Sequence, residues 1–444
     1  SGLPPLDFAY TTFEPAGRTF SPVQRGPASV PSLADPTVTL MDIHGGGLPD
    51  IVTIDGDVRF CRNLGAGRFA PERSMRDSPG VSLADPGVQV LDVNGDSRVD
   101  LVLNSAQTST VFTLEFGPHW KRRPSEMRRA PAFGADDPEV RFLDLDGDGV
   151  TDAVRTGERF ECYFQDEHEG WKDIRIVTRR PLAEFPDISF GDDHVKLAAL
   201  AGGELQDIAL VHAGSVSYWP NLGHGNWGAR VTMPLQPALP SDYDAARVLL
   251  GDVDGDGYAD LVYVEADRVR VWFNRSGNGW SAPIEVHGVP LVADGDVVYV
   301  VDLYGAGVAG ILWSAGPTNP ARQRMSFLDL AGGVKPYLLA RMTNNLGATT
   351  RVQYASSTRF FLEDDRCSTT RWRTPLPGPV QVVSRVEVID HLSGSKLTTE
   401  FTYRGGYWDG LEKEFRGFAE VHQRSSEGFS EYNRAGLHDV QTAF

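Results

Sequence analysis

Three stretches of this 444-residue chain place oxygen-bearing side chains at alternate positions of a short, glycine-containing loop. They are Asp92, Asn94, Asp96 and Asp100; Asp144, Asp146, Asp148 and Asp152; and Asp252, Asp254, Asp256 and Asp260. Counted from the first Asp, these are positions 1, 3, 5 and 9. Calcium takes six to eight hard oxygen ligands in a forgiving geometry, and alternate residues of a tight loop turn inward together. Position 7 (Arg98, Val150 or Tyr258) adds a backbone carbonyl, and glycine at position 4 or 6 permits the bend. The loops are not EF-hands: position 12 is Leu103, Arg155 or Tyr263 where that motif needs Glu, so ligation closes at position 9. Eleven clustered carboxylates repel one another without a counter-ion. About three structural Ca²⁺ ions are therefore expected, and they would offset six of the chain's eighteen net negative charges. Metal-free, Asx-rich turns are the competing reading.

The loops belong to a repeat. Weaker copies start at Asp42 (DIHGGGLPD) and Asp302 (DLYGAGVAG), and one running from Ala199 to Asp207 (ALAGGELQD) is nearly erased. First positions fall at 42, 92, 144, 199, 252 and 302, a period of 50 to 55 residues. The weak copies lack ligands at position 5 (Gly46, Gly203, Ala306) and are expected not to bind; His44 reads as a degenerate turn residue. About twenty residues after several loops comes a second motif: Asn63-Leu-Gly-Ala-Gly67, Asn221-Leu-Gly-His-Gly225 and Asn274-Arg-Ser-Gly-Asn-Gly279. Segments before it alternate, as in Val269-Arg-Val-Trp-Phe273, which reads as strand. Four short strands per unit of this length is a propeller blade. The fold class expected is all-β: a six-bladed, alternatively seven-bladed, β-propeller over residues 1–335, then a separate β-sheet region over 336–444 with longer alternating strands. Phe8 to Pro22 reads as an orphan half-unit that completes the last blade and closes the ring, removing exposed edges.

Composition narrows the function. A net charge of −18 argues against nucleic acid, which requires a basic face, and against anionic lipid. No run of about 18 apolar residues predicts a membrane span. No basic-then-apolar leader opens the chain, which starts at Ser1 and reads as a fragment or processed piece. Cys61, Cys162 and Cys367 are odd in number and widely spaced; buried free thiols are expected. Gly305-Ala-Gly-Val-Ala-Gly310 and Gly223-His-Gly-Asn-Trp-Gly228 match GxGxxG but lie within β-repeats, so no dinucleotide site is expected. No catalytic motif is found, and no enzyme activity is expected. Trp219, Trp227, Trp272 and Trp280 recur at equivalent positions and read as packing, or else as a glycan-stacking face.

The acidic repeats resemble FG-GAP/VCBS repeats, the integrin-α type of propeller. The tail is more specific. Gly332 to Ser357 (GGVKPYLLARMTNNLGATTRVQYASS), Pro375-Leu-Pro-Gly-Pro-Val-Gln-Val-Val383 and Gly406-Tyr-Trp-Asp-Gly-Leu-Glu-Lys-Glu-Phe-Arg-Gly-Phe418 resemble the B component of bacterial toxin complexes (Tc toxins) and virulence-plasmid B-type proteins. That resemblance implies a secreted or extracellular, non-catalytic toxin component. Its propeller would dock a pore-forming subunit and gate a hollow shell built with an RHS-repeat C component, without direct membrane insertion. Residues 340–444 would begin the shell wall. The alternative is a calcium-stabilised surface adhesin or carbohydrate-binding propeller.

Overall fold

The computed structural model describes residues 4–441 apart from 26–29, 106–107, 158, 178–185, 204, 291–292, 294, 317–324, 411 and 430–438. Glu204, inside the most eroded loop, thus lies outside the described residues. The described residues are almost entirely β, and among them no sheet closes into a barrel. No described helix is long and apolar enough to cross a membrane.

Six four-stranded antiparallel sheets follow one another along the chain. The fifth is representative, with strands Val248–Gly251, Asp260–Val264, Arg268–Trp272 and Ile284–His287. In each sheet the repeat loop joins the first two strands, and position 9 opens the second: Met41 pairs with Asp50, Leu91 with Asp100, Leu143 with Asp152 and Gly251 with Asp260. Second strands are apolar on both faces, as in Asp260-Leu-Val-Tyr-Val264, because each sheet is covered on both sides by its neighbours. One apolar cluster joins the first and second sheets (Val52, Leu101), another the third and fourth (Val154, Ile208), another the fourth and fifth (Val211, Leu261), another the fifth and sixth (Val262, Ile311). Leu91 and Val102 of the second sheet pack against Phe142 of the third. The circle closes where Leu312 and Phe327 of the sixth sheet meet Ile51 of the first.

Two of the second-motif asparagines, Asn63 and Asn274, staple neighbouring sheets, whereas Asn221 Nδ2 meets no acceptor in the protein. Asn63 donates through Nδ2 to Leu303 O of the sixth sheet at 2.9 Å and to Pro49 O at 3.0 Å. Asn274 donates to Leu200 O of the fourth sheet at 3.0 Å and to Ala259 O at 3.1 Å. Asn63→Ala strands two buried carbonyls at the closing seam and is expected to cost about 1–3 kcal/mol in urea unfolding at fixed calcium. Asn278→Ala, whose exposed amide reaches only Ser276 O, is expected to be silent; equal effects would deny the staple.

The N-terminus divides its strands. Ser21–Pro22 completes the sixth sheet by pairing with Phe327 and Ser326. Asp7–Tyr10, expected in the same unit, instead pairs with Leu339–Thr343 and becomes the edge of a seven-stranded sheet built from the tail. Alternation identifies a strand but not its partner, and the longer tail strands offer the freer edge. That sheet continues through Ala348–Ser356, Gln381–Asp390, Ser395–Asp409 and Glu414–Phe429 to Asp439–Gln441. Between its third and fourth strands stands a helix, α1 (Ser357–Asp364), which the sequence reading did not anticipate.

Candidate metal centre

The first Asp of each loop organises the backbone. Asp144 Oδ1 accepts from the Gly147 N–H at 2.7 Å and Oδ2 from Gly149 at 2.8 Å; Asp92 and Asp252 do the same with Gly95 and Ser97, and with Gly255 and Gly257. Asp42 and Asp302 keep this pattern in the eroded loops, with Gly45 and Gly47, and with Ala306 and Gly307. Position 9 also has a structural duty. Its Oδ1 accepts a backbone N–H at or just beyond the end of the third strand: Asn63 for Asp50, Leu114 for Asp100, Gln165 for Asp152, Asn221 for Asp207, Asn274 for Asp260. These bonds explain why eroded copies retain Asp50 and Asp207 without a full ligand set. Position 9 of the sixth loop is Gly310 because a Cβ there would lie 2.4 Å from Phe327.

Positions 3 and 5 distinguish the complete loops. Carboxylate oxygens of Asp144, Asp146 and Asp152 lie within 4.8 Å of one another, as do those of Asp252, Asp254 and Asp260. The second loop carries Asp92, Asn94 and Asp100 at the same places; Asp100 is 1 % exposed and its Oδ2 has no partner in the protein. Position 5 stands apart from the triads. One oxygen of each of Asp96, Asp148 and Asp256 accepts the N–H of position 7, at 2.9, 2.8 and 2.9 Å. In the first loop His44 fills position 3 and its Nδ1 meets Asp50 Oδ2 at 2.7 Å, so an imidazole stands where a ligand to a cation would.

Burial dominates the electrostatics of these groups. It pushes Asp100, Asp152 and Asp260 up to about 8 and Asp92 to about 7. Asp254 rises to about 6, with its neighbours Asp256 and Asp252 adding to the burial effect. Paired backbone donors resist the rise without cancelling it. Three clustered carboxylates in the third and fifth loops, and the unpartnered Asp100 Oδ2 in the second, call for a proton or a hard cation. The residues fit a divalent ion of calcium's type.

The tail lies over this same face, a relation no local pattern revealed. Gly46 and Gly305, in the two eroded loops, are the seat of α1: a Cβ on Gly46 would lie 2.3 Å from Phe361, and one on Gly305 2.7 Å from Thr358. The Ser356 hydroxyl accepts from the Thr358 N–H, capping the helix, and donates to Gly305 O. Thr358 Oγ1 donates to Gly46 O at 3.2 Å. Arg62 of the first sheet pairs with Asp365 at the far end of α1. Elsewhere Tyr337 donates to Asp254 Oδ2 at 2.9 Å, and Lys413 donates to Gly95 O while its charge favours ionised Asp96 and Asp148. The apparent nucleotide motif at Gly305–Gly310 is thus a close-packing device. All four repeated tryptophans are buried, which fits packing and leaves no stacking face. Cys61 and Cys162 are buried free thiols as expected, but Cys367 is exposed on the turn after α1.

Comparison with known proteins places this architecture. The family described as insecticide toxin TcdB middle/N-terminal region matches residues 284–442. The Tc holotoxin pore of Photorhabdus luminescens superposes with a TM-score of 0.85 at 28 % identity, over 97 % of this chain and 20 % of that one. The crystal structure of TcdB2-TccC3 matches at 0.65 and 25 % identity, again over 97 % of this chain and 21 % of that chain, and the TcdB2-TccC3-Cdc42 structure at 0.67 and 26 %. No curated protein sequence matches. The chain is similar in sequence and fold to the B component of Tc toxins, and it spans about a fifth of the length of those solved chains.

Proposed function

We propose that the protein is a non-catalytic component of a bacterial toxin-delivery complex that acts outside the producing cell. In this reading the six sheets form a six-bladed propeller of the FG-GAP/VCBS kind, which docks a pore-forming subunit and gates a shell made with an RHS-repeat C component. Residues 336–444 begin the shell wall. The observation carrying the reading is the whole-chain overlay on the holotoxin at TM-score 0.85, which includes both the circle of sheets and the tail sheet. The tail's seat on the eroded loops supports it, since a gate must be held in register with the wall above it.

Three Ca²⁺ ions held by Asp92, Asn94 and Asp100, by Asp144, Asp146 and Asp152, and by Asp252, Asp254 and Asp260 would supply charge neutralisation and fix the hairpins from which the tail hangs. The adhesin alternative loses its motive, because the tryptophans that suggested glycan stacking are core residues.

The purified chain, with calcium, is expected to bind the pore-forming subunit encoded beside it in a 1:1 complex by native mass spectrometry. Absence of a complex at micromolar protein would overturn the docking role.

A further inference from the structure

One region runs against the chain's charge. The overall balance is −18, yet residues 119–129 (HWKRRPSEMRR) carry five arginines and lysines against one glutamate. This segment forms the outer margin of the second sheet, beside Arg73 and Arg76 of the first. Two cavities of about 490 and 580 Å³ meet there and share Phe60, Arg73 and Pro118 as walls. The first runs inward to Arg62, Phe361 and Trp372 beneath the tail helix. The second runs outward to Arg76, Trp120 and Arg122.

Most acids near this groove are already engaged. Glu72 pairs with Arg59, Glu115 with His119, and Asp365 with both Arg62 and Arg371. Asp77 is the further acid in the outer wall. Among the described residues no ion pair holds Arg73, Arg76 or Arg122, and all three are exposed. Between the arginines the lining is apolar: Leu64 is exposed, and Phe116 and Pro118 are half-buried. The groove therefore offers cations along its rim and apolar surface between them.

We propose that this groove docks an extended acidic segment of a partner protein, one that alternates carboxylate with aliphatic or aromatic side chains. Arginine forks take carboxylates in pairs, which a peptide with spaced glutamates supplies. The intervening apolar side chains cover Leu64, Phe116 and Pro118, whose burial by a ligand is favourable in proportion to area. A sulfated glycan or nucleic acid backbone would leave that apolar surface unused. The proposal is independent of the toxin-complex reading: it concerns the flank of the first two sheets, and it holds for an adhesin equally.

The test is fluorescence anisotropy on the calcium-loaded full chain. The probe is a labelled peptide alternating glutamate with leucine and phenylalanine. A second peptide replaces the apolar residues with serine, and a labelled heparin oligosaccharide is the third ligand. The apolar-acidic peptide is expected to bind best. Affinity should fall about tenfold or more in the Arg73→Glu/Arg76→Glu/Arg122→Glu variant, whose exposed substitutions leave the melting temperature unchanged. Binding should also weaken with added salt. Equal binding to the variant, equal binding of the serine peptide, or preference for heparin would each overturn the proposal.

Discussion

Stripped of divalent ions, the protein is expected to melt at a lower temperature at pH 8 than at pH 5, and calcium is expected to reverse that order. Burial raises Asp100, Asp152 and Asp260 to about 8 in the folded chain, from an ordinary value of 3.8 that the unfolded chain regains. Between those limits the native state binds more protons than the unfolded state, so stability falls as pH rises. The loss is up to about 1.4 kcal/mol per pH unit for each carboxylate caught in this window. A cation exchanges with those protons. Its binding is strongest where the carboxylates are cheapest to ionise, and each site filled at a hundred times its dissociation constant adds about 2.7 kcal/mol. Scanning calorimetry in EDTA and in calcium at both pH values reads the crossing. Elemental analysis should count about three calcium ions per chain, and two after Asp146→Ala, which removes a position-3 ligand. Superimposable melts with and without calcium would mean that the loops are bare turns, stabilised by Asp-to-backbone bonds alone.

Those bonds show which parts of the site could be read in advance. The period of the acidic loops and the alternation of the strands are local, and they led to six four-stranded sheets and to the twelve ligand candidates. The double duty of positions 1 and 9 is not local. Asp50 looks like a ligand remnant until the Asn63 N–H, thirteen residues on, is seen to rest on it. The different status of position 5 likewise depends on which oxygen the backbone has already taken. A further repeat has spacing that hides among ordinary turns. Asp35, Asp137, Asp192 and Asp244 each precede the first strand of a sheet and accept the N–H two residues ahead, from Thr37, Glu139, His194 and Ala246. The helix α1 was missed for a simpler reason: eight residues with no acidic first turn and no basic last turn give little signal, and its stability comes from packing Phe360 and Phe361. Tyr337 and Lys413 could not be assigned to the loops at all, since their partners lie 83 and 318 residues away.

The seat of α1 turns the erosion of two loops into a testable claim about how the tail is held. If Gly46 replaced the ligand at position 5 merely by drift, an added methyl should be tolerated there. If it makes room for the tail, Gly46→Ala drives a Cβ to within 2.3 Å of Phe361 and must displace the helix or its ring. Gly46 has an ordinary backbone conformation, so the effect is steric and not one of backbone strain. Overpacking of this kind costs about 1–3 kcal/mol. The expected readout is faster hydrogen exchange and earlier proteolysis across residues 356–380, with the sheets of the circle still protected. Gly378→Ala is the control, because a Cβ there meets nothing within 4 Å. Phe361→Ala alone empties the pocket and also loosens the tail. Combined with Gly46→Ala it should cost less than the two single changes added together, since the methyl then occupies space the ring has left. A Gly46→Ala chain with unchanged exchange over α1, or a double variant whose cost is the plain sum, would place the tail's anchorage elsewhere, on Lys413, Tyr337 and the Arg62–Asp365 pair.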